Sequence, residues 1–351
     1  MEKTALKGLS REEVAALLGS WGEPRYRAAQ LYTWLYRRLA RSYAEMTNLP
    51  AGLRARLGDK TELNAVTVTR REFSQATGTV KLLFSLRDGQ AVEGVLMRYR
   101  NWFSACISSQ AGCRMGCRFC ASALGGLARN LEAAEMVDEV VALAREARAQ
   151  GGWVRSVVLM GTGEPLDNYE AVLHFIHLIA QPEGLGIGYR HISLSTCGLV
   201  PGIRRLAREG LPLTLSVSLH APTDELRSRL MPVNRRYALP ELLAACREYA
   251  ALTGRRVTFE YALIAGVNDS VRQARALAQL VGGLSAHVNL IPLNPVAERG
   301  LARPDRRRIT AFAAILRARG VPTTVRRELG TDISAACGQL RHRVLGEEGR
   351  A

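Results

Sequence analysis

Three cysteines lie within eight positions of the chain, in the arrangement Cys113-x3-Cys117-x2-Cys120. Thiolates at this spacing on one loop can converge on a metal centre. No further cysteine or histidine follows closely enough in sequence to close a tetrahedral zinc site. Three protein ligands would leave one iron of a four-iron cluster open to a substrate or cofactor. The spacing therefore favours an open iron–sulfur site, with structural zinc and reduced core cysteines as the alternatives.

Other polar signatures follow the predicted strands at their carboxyl ends. In chain order they are Gly161-Thr162-Gly163-Glu164-Pro165, Ser195-Thr196, Ser218-Leu219-His220 and Asn294-Pro295. Parallel strands with helical crossovers place their carboxyl ends, and the chemistry that follows them, at one rim. We therefore expect these segments and the cysteine loop to form a single site.

The elements that must position this site alternate between strand-like and helical patterns. Strand-like runs occur at 103–108, 156–160, 192–195, 213–218, 257–263, 288–291 and 323–326. Helical periodicity occurs at 133–149, 169–179, 239–252, 271–280 and 306–319. Such alternation predicts an α/β fold with parallel strands joined by right-handed crossovers, as a full or partial barrel or an open sheet.

Four segments are predicted along the chain. Residues 1–75 are a small helical domain, with Ser10 and Glu13 forming a capping box, and residues 76–100 are a β-hairpin linker around an Arg87-Asp88-Gly89 turn. Residues 101–331 form the core, and residues 332–351 are a carboxyl-terminal segment.

Composition limits the class of protein. The 351 residues are 47% hydrophobic and 23% charged, which excludes a disordered or collagen-like chain. A net charge of +16 predicts a polyanionic partner, nucleic acid first, and arginine supplies nearly all of it. No stretch of about 18 apolar residues occurs, and seven cysteines in a chain this long are not a disulfide framework. We expect a soluble protein of the reducing cytoplasm, without a membrane partner.

The motifs together resemble a known superfamily. They are Ser108-Ser109-Gln110-Ala111-Gly112-Cys113, Arg129-Asn130-Leu131, Gly163-Glu164-Pro165, Ser218-Leu219-His220-Ala221-Pro222, Gly266-Val267-Asn268-Asp269, Asn289-Leu290-Ile291-Pro292 and Asp332 to Leu340. With the cysteine triplet they are similar to the radical S-adenosylmethionine (radical SAM) enzymes, and within these to the RNA adenine methyltransferases that modify carbon 2 of an adenosine in 23S ribosomal RNA and in transfer RNA. The resemblance implies a partial (β/α)6 TIM-like barrel.

The resemblance also implies a mechanism, because carbon 2 of adenine has no lone pair to attack a sulfonium methyl group. Two S-adenosylmethionine molecules are used per turnover. One methylates Cys337, and the other yields the radical that activates this methyl group, which then joins the RNA in a transient crosslink. Cys106 would release the product by forming a transient disulfide with Cys337. Glu93, on a strand with apolar neighbours, would be the base.

Cofactor-binding residues follow from the same resemblance. Cys113, Cys117 and Cys120 would hold a 4Fe-4S cluster. The residues expected to contact S-adenosylmethionine are Gly163, Glu164, Ser195, Ser218, Leu219, His220 and Asn294. Cys197 and Cys246 fit no role and are predicted to be core residues.

The expected partners are RNA and an electron donor. Arg306-Arg307-Arg308 and Arg326-Arg327 flank Cys337 and would hold RNA phosphates, with the helical domain as an RNA-binding accessory. The resemblance implies a flavodoxin as the electron donor, and we expect a monomer. Leu293 stands where the family often has an aromatic residue, so methylation of carbon 8 remains an alternative. Two others are a zinc-stabilised RNA-binding module without catalysis and a radical enzyme acting on a small molecule.

Overall fold

The amino-terminal part of the chain is helical, as its periodicity predicts. The computed structural model describes residues 3–100, 102–327, 330 and 333. The predicted capping box opens the first helix: the Ser10 hydroxyl accepts from the N–H of Glu13, whose carboxylate accepts from the N–H of Ser10. The elements are α1 (Arg11–Gly19), α2 (Tyr26–Tyr32), a π-helical turn (Thr33–Arg37), α3 (Ala51–Lys60), and the paired strands β1 (Thr4–Ala5) and β2 (Thr61–Glu62).

Three antiparallel strands follow, namely β3 (Thr67–Phe73), β4 (Val80–Ser85) and β5 (Ala91–Arg98). The second and third form the predicted hairpin, with Gly89 in its turn at a φ of +80° that favours glycine. β3 lies inside residues 1–75, so strand structure begins earlier than the predicted hairpin. Its charged, mostly exposed side chains have no apolar alternation, as is usual for an edge strand. The domain boundaries stay a prediction.

The rest of the described chain alternates between strands and helices, which confirms the α/β prediction. The strands are β6 (Phe103–Ile107), β7 (Gln110–Gly112), β8 (Leu127–Asn130), β9 (Val154–Leu159), β10 (Ile192–Thr196), β11 (Thr214–Ser218), β12 (Val257–Leu263), β13 (Ala286–Pro292) and β14 (Thr323–Val325). The helices are α4 (Ala133–Ala149), α5 (Tyr169–Ala180), α6 (Val200–Arg208), α7 (Asp224–Leu230), α8 (Leu239–Thr253), α9 (Val271–Val281) and α10 (Arg306–Ala318).

Two helices of the core were not predicted. α6 begins next to Pro201 and α7 has only seven residues, capped by the Thr223 hydroxyl. Segments this short show too few repeats for periodicity to reveal them.

Ten strands form one sheet, in the order β14-β13-β12-β11-β10-β9-β6-β5-β4-β3. The strands β6 and β9 to β14 run parallel, and we call them the parallel half. The strands β3 to β5 are the antiparallel half. The two halves join where β5 pairs with β6, with Val95 opposite Cys106. The hairpin therefore continues the core sheet.

The two faces of the sheet differ in chemistry. Leu194, Leu215 and Phe259 belong to the large apolar core, which also contains the buried faces of the helices. The alternate positions form what we call the polar face, and in the parallel half it carries Ser195, Ser216, Ser218, Glu260 and Asn289. Register places these residues side by side, with Ser195 opposite Ser216, Ser218 opposite Glu260, and Glu260 opposite Asn289. No helix in the described ranges is long and apolar enough to cross a membrane.

Candidate active site

The three clustered cysteines lie on a loop closed by β7 and β8, which pair as an antiparallel ribbon. At its neck, the N–H of Cys113 donates to the carbonyl of Gly126 over 2.7 Å. Gly112 has a φ of +87°, and a Cβ there would lie 2.0 Å from the same carbonyl oxygen. Only glycine fits this approach, so the local sequence Gly112-Cys113 closes the loop and begins the cysteine segment at once.

The thiols of the loop have the chemistry that an iron–sulfur cluster requires. Cys113 is buried, Cys117 and Cys120 are partly exposed, and burial raises the pKa of Cys113 and Cys117, with charge on the nearby Cys120 as a further cause. Burial raises the pKa of Cys113 to about 12, while an N–H from Met115 to its sulfur opposes this rise. Iron binding keeps such thiols deprotonated, and N–H bonds to sulfur tune cluster potentials. The donor set fits a cluster.

A site for a single metal ion needs a different arrangement of ligands from a four-iron cluster. Within the part of the chain that the structure describes, no three His, Cys, Asp or Glu side chains are grouped as ligands of one metal ion. In a four-iron cluster, by contrast, each cysteine binds a different iron atom.

The Gly163-Glu164 segment is packed directly against the strand that leads to the cysteine loop. Gly163 has a φ of +111°, and a Cβ there would lie 2.7 Å from Cβ of Gln110. The Gln110 side chain accepts from the N–H of Glu164 over 2.8 Å and donates to Asp167 over 3.0 Å. Only glycine permits this close approach between the two segments.

Glu164 joins this segment to the loop after β10. Its carboxylate is buried and accepts from the N–H of Cys197 over 2.6 Å and from the N–H of Leu166 over 3.1 Å. Burial raises the pKa of Glu164, although these bonds oppose the rise. The carboxyl group is thus fixed in orientation but poorly solvated, which strengthens any bond that it makes to a bound ligand.

His220 adopts an unusual backbone conformation, with a φ of +56°. Its Nδ1 accepts from the N–H of Ala262 over 2.9 Å, so the proton of the neutral ring lies on Nε2. Burial, and secondarily the nearby Arg227, lowers the pKa of His220 to about 3. The ring meets Phe119 of the cysteine loop edge to face, with centroids 4.7 Å apart. A neutral donor therefore lies beside the cysteine loop.

Arg227 is a positioning residue that the sequence did not single out. This fully buried guanidinium donates to the carbonyls of Cys197, Ser218 and Leu219, over 2.7, 3.1 and 3.2 Å. It thereby ties the loop after β10 to the loop after β11. No sequence signal marks it, because its helix is short and arginine is common throughout the chain.

A small apolar cluster confirms that the predicted segments share one rim. It contains Cys197, Ala221, Ile264 and Leu293, which follow four successive strands of the parallel half, and Cys117 packs against it. The cysteine loop and the loops after β10 to β13 therefore meet. Cys197 is buried here, and Cys246 is buried in α8, so both are core residues as predicted.

The remaining predicted cofactor contacts occupy different positions. Ser195 and Ser218 are partly exposed near the ends of β10 and β11, on the polar face, whereas Leu219 is buried. The N–H of Leu219 donates to the carbonyl of Glu260, so Leu219 offers backbone rather than side-chain chemistry. Asn294 is exposed just after β13.

Glu93 and Cys106 lie on neighbouring strands of the join between the two halves. Glu93 is 4% exposed, and its Oε2 lies 2.9 Å from Nζ of Lys81, which is fully buried. The sequence predicted the apolar surroundings but not this ion pair, because Lys81 and Glu93 lie on different strands. Cys106 is buried on β6. Cys337, the predicted methyl carrier, lies outside the described residues.

Comparison with known proteins identifies the family. The model of the radical SAM superfamily matches residues 107–278, and that of the ribosomal RNA large subunit methyltransferase N-terminal domain matches residues 4–63. A probable dual-specificity RNA methyltransferase RlmN of Symbiobacterium thermophilum is 56% identical over 96% of this chain and 91% of its own length. The chain belongs to this radical SAM methyltransferase family.

Further relatives support the assignment. A probable dual-specificity RNA methyltransferase RlmN of Pelotomaculum thermopropionicum is 54% identical, over 99% of this chain and 94% of its own. The crystal structure of a radical SAM methyltransferase from Sphaerobacter thermophilus is 52% identical, with a TM-score of 0.93 over 96% of this chain and 98% of that one. The predicted family, fold and enzyme class are confirmed, and with them the 4Fe-4S cluster and S-adenosylmethionine that the family uses. The individual residue roles stay predictions.

Proposed function

We propose that this chain methylates carbon 2 of an adenosine in 23S ribosomal RNA and in transfer RNA, through a methyl-cysteine intermediate. The observation that carries this proposal is the 56% identity, over nearly the whole chain, to a probable dual-specificity RNA methyltransferase. A match of that extent includes both the amino-terminal domain and the barrel, which a shared fold alone does not require.

Cys113, Cys117 and Cys120 would hold the cluster, which supplies the electron that cleaves the sulfonium of S-adenosylmethionine. The side chains that would contact this cationic cofactor are neutral or acidic, and the guanidinium of the nearby Arg227 is bonded to backbone carbonyls. Neutral His220 would donate from Nε2, and Glu164 would accept from the cofactor's amino group. Ser195, Ser218, the backbone at Leu219 and the exposed Asn294 would bind its other polar edges.

The chain's own residues would then carry the methyl group and remove the proton. Cys337 would accept a methyl group on its sulfur and present it to the RNA. Glu93 would take the proton from carbon 2. Cys106 would attack the sulfur of Cys337, so that a disulfide forms while the bond from that sulfur to the transferred carbon breaks, and this carbon takes the electron pair and a proton to become the methyl group of the product. In support, Glu93 and Cys106 occupy adjacent strands where the two halves of the sheet join.

RNA binding would rest on arginine. At the start of α10, Arg306 and Arg307 are exposed, whereas Arg308 pairs with Asp269 over 3.1 Å. Exposed guanidinium groups at the start of this helix would hold phosphates while the target base leaves its stack. For the electron donor we propose a flavodoxin, and for the active form a monomer.

Product analysis tests the function. Anaerobically reconstituted protein, S-adenosylmethionine and a reductant are incubated with 23S ribosomal RNA fragments and with transfer RNA, and the nucleosides are separated by mass spectrometry. We expect 2-methyladenosine from both substrates. A product of 8-methyladenosine would establish the alternative regiochemistry. Absence of any methylated adenosine would overturn RNA methylation, and a colourless, zinc-containing protein would establish the zinc-stabilised module instead.

A further inference from the structure

We propose that Lys81 is a positioning residue for Glu93, holding its buried carboxylate ionised and aimed along the polar face so that it can receive a proton. This inference rests on the proposed function, since it assumes that Glu93 is the base. Lys81 Nζ lies 2.9 Å from Oε2 of Glu93, and the two side chains are 0% and 4% exposed.

Strand register places the pair on the face that carries the chemistry. Lys81 lies opposite Val95 on β5, and Val95 lies opposite Cys106 on β6. Directly opposed residues and residues two apart on one strand share a face. Lys81, Glu93 and Cys106 therefore lie on one face of the sheet. Because Cys106 is opposite Val158 of β9, and side chains alternate, that face continues into the polar face of the parallel half.

Lys81 reaches Glu93 diagonally, because the residue directly opposite Glu93 is Leu83. Diagonal neighbours lie about 7–8 Å apart between Cα atoms, a distance that long side chains can span. The backbone of Glu93 is also anchored, since its carbonyl accepts from the Ser108 hydroxyl over 2.8 Å. The carboxylate is thus held from two sides, by the ammonium group and by the strand.

The same protein shows what burial does to a carboxyl group without a lysine beside it. Glu139 is fully buried and accepts from the N–H of Ser108, and burial raises its pKa well above the ordinary value. Burial also raises the pKa of Glu164. A protonated carboxyl cannot act as a base, so a buried base needs a compensating charge. Lys81 supplies that charge at Glu93.

Other titratable groups lie around this pair, and Glu72 of β3 is directly opposite Lys81. The elements β4, β6, β7 and α4 pack against β5. Among their described titratable groups, Lys81 of β4 and Cys106 of β6 share the face of Glu93, and β7 has none. On α4, Glu139 contacts Ser108, while Asp138 pairs with Lys7 and Glu135 with Arg129. Lys81 is the cation bonded to Glu93 among these groups.

The role of Lys81 in the reaction is electrostatic. Carbon 2 loses its proton to a carboxylate oxygen of Glu93, and the electron pair of the broken bond stays with the ring. Lys81 forms and breaks no covalent bond. Without the ammonium group, the buried carboxyl would take up a proton from solvent before the RNA adduct forms, and the proton on carbon 2 would have no acceptor.

The test compares Lys81→Met, Lys81→Arg and Glu93→Gln, singly and as the double variant Lys81→Met/Glu93→Gln. Lys7→Met is the matched control, because Lys7 is also fully buried and paired with a buried carboxylate, Asp138. The first readout needs no activity: infrared difference spectra of the holoprotein follow the protonated carboxyl band against pH. We expect Lys81→Met to raise the midpoint of one carboxyl titration by about one pH unit or more, and this titration to be missing from the double variant.

The second readout is the trapped RNA adduct. Below the carboxyl midpoint of the variant, Lys81→Met is expected to resolve the crosslink to Cys337 about tenfold more slowly for each pH unit, because the ionised fraction of the base falls about tenfold per unit there. It should cleave S-adenosylmethionine normally, recover at higher pH, and be rescued in part by Lys81→Arg. In the Glu93→Gln background, the Lys81 change should add nothing.

The outcomes separate this inference from the proposed function. If the wild type makes no 2-methyladenosine, the proposed function fails, and the infrared titration alone then decides whether Lys81 controls the ionisation of Glu93. If the wild type is active but Lys81→Met changes neither the titration nor adduct resolution, the positioning role is overturned. It is overturned equally if Lys7→Met slows adduct resolution as much, since the effect would then be general destabilisation.

Discussion

In the parallel half of the sheet, burial drives Glu164 and His220 beside the cysteine loop toward their neutral forms, whereas the antiparallel half buries an ion pair. The pKa of Glu164 is raised and that of His220 is lowered to about 3, in each case chiefly by burial. In the antiparallel half, Lys81 and Glu93 are buried as deeply but compensate each other at 2.9 Å.

The difference follows from what each half must do. The parallel half would receive a cofactor that carries its own positive charge, so neutral donors and oriented carbonyls suit it. The antiparallel half would accept a proton and therefore has to keep a negative charge away from water. Burying a charge without a partner is expensive, and a neighbouring lysine offsets that penalty. The same degree of burial thus accompanies neutral side chains in one half and a charged pair in the other.

Among the variants that test this difference between the two halves, Cys117→Ala is expected to have the largest effect. Removing one of the three proposed cluster ligands should leave the protein without a stable cluster, so that neither cleavage of S-adenosylmethionine nor RNA methylation occurs. Iron and sulfide content and 5′-deoxyadenosine release would be measured. Cys246→Ala, which changes a buried thiol of α8, is the control and should keep its iron. A fully active Cys117→Ala protein would contradict the assignment of the cluster to the cysteine loop.

Glu93→Gln should slow removal of the proton from carbon 2 and leave the earlier cleavage of S-adenosylmethionine unchanged. We expect methylated RNA to form about 10²–10⁴-fold more slowly, the range typical for loss of a general base, while S-adenosylmethionine is still cleaved. Single-turnover product analysis and 5′-deoxyadenosine release would be followed together. Glu241→Gln, an exposed change on α8, is the control. Equal loss of both steps would contradict the assignment of separate tasks to the two halves.

Lys7 is a buried lysine that lies away from the polar face. Lys7→Met tests whether such a lysine affects only the stability of the protein and not the reaction. Lys7 pairs with Asp138 of α4, and it also donates to the carbonyl of Leu63 over 2.5 Å. Removing it leaves a buried carboxylate unpaired, so the free energy of unfolding should fall by about 3–5 kcal/mol. Chemical denaturation would measure this change, and Lys3→Met, which replaces an exposed lysine, is the control. Slower cleavage of S-adenosylmethionine per folded molecule would show that this pair also serves the site.

The smallest effect is expected from His220→Gln, and it is measured as a change in how the free energy of unfolding depends on pH. Between pH 6.5 and about 3 the unfolded chain binds a proton at this histidine while the folded chain does not, so wild-type stability falls as the pH falls. Between pH 7 and pH 5 this contributes a loss of about 2 kcal/mol. The variant should lack that contribution, as urea unfolding at both pH values would reveal. Exposed His191→Gln should behave like wild type, and an unchanged slope in His220→Gln would mean that the ring is not held neutral.

Much of the site was predictable because its signals are local. The spacing of Cys113, Cys117 and Cys120 and the glycines beside them are features of one loop. The alternation of strands and helices then places the segments after each strand at one rim, which the shared apolar cluster confirms. Helices α6 and α7 were missed, since segments of nine and seven residues carry too little periodicity.

Contacts between distant segments were not predictable. Arg227 reaches three carbonyls on two loops, and nothing in its own helix distinguishes it from the chain's many other arginines. The pairing of Lys81 with Glu93 depends on the register of β4 against β5, and a shift of one residue would turn the lysine to the other face.

The amino-acid sequence by itself determined the loop of three cysteines that would hold the cluster, the order of most strands and helices, and the rim where these segments meet, because each depends on residue types and spacing within a short segment. Only the tertiary structure decided which groups beside the site are neutral and which remain charged. Ionisation depends on burial and on the nearest opposite charge, and both are supplied by residues far apart in the chain.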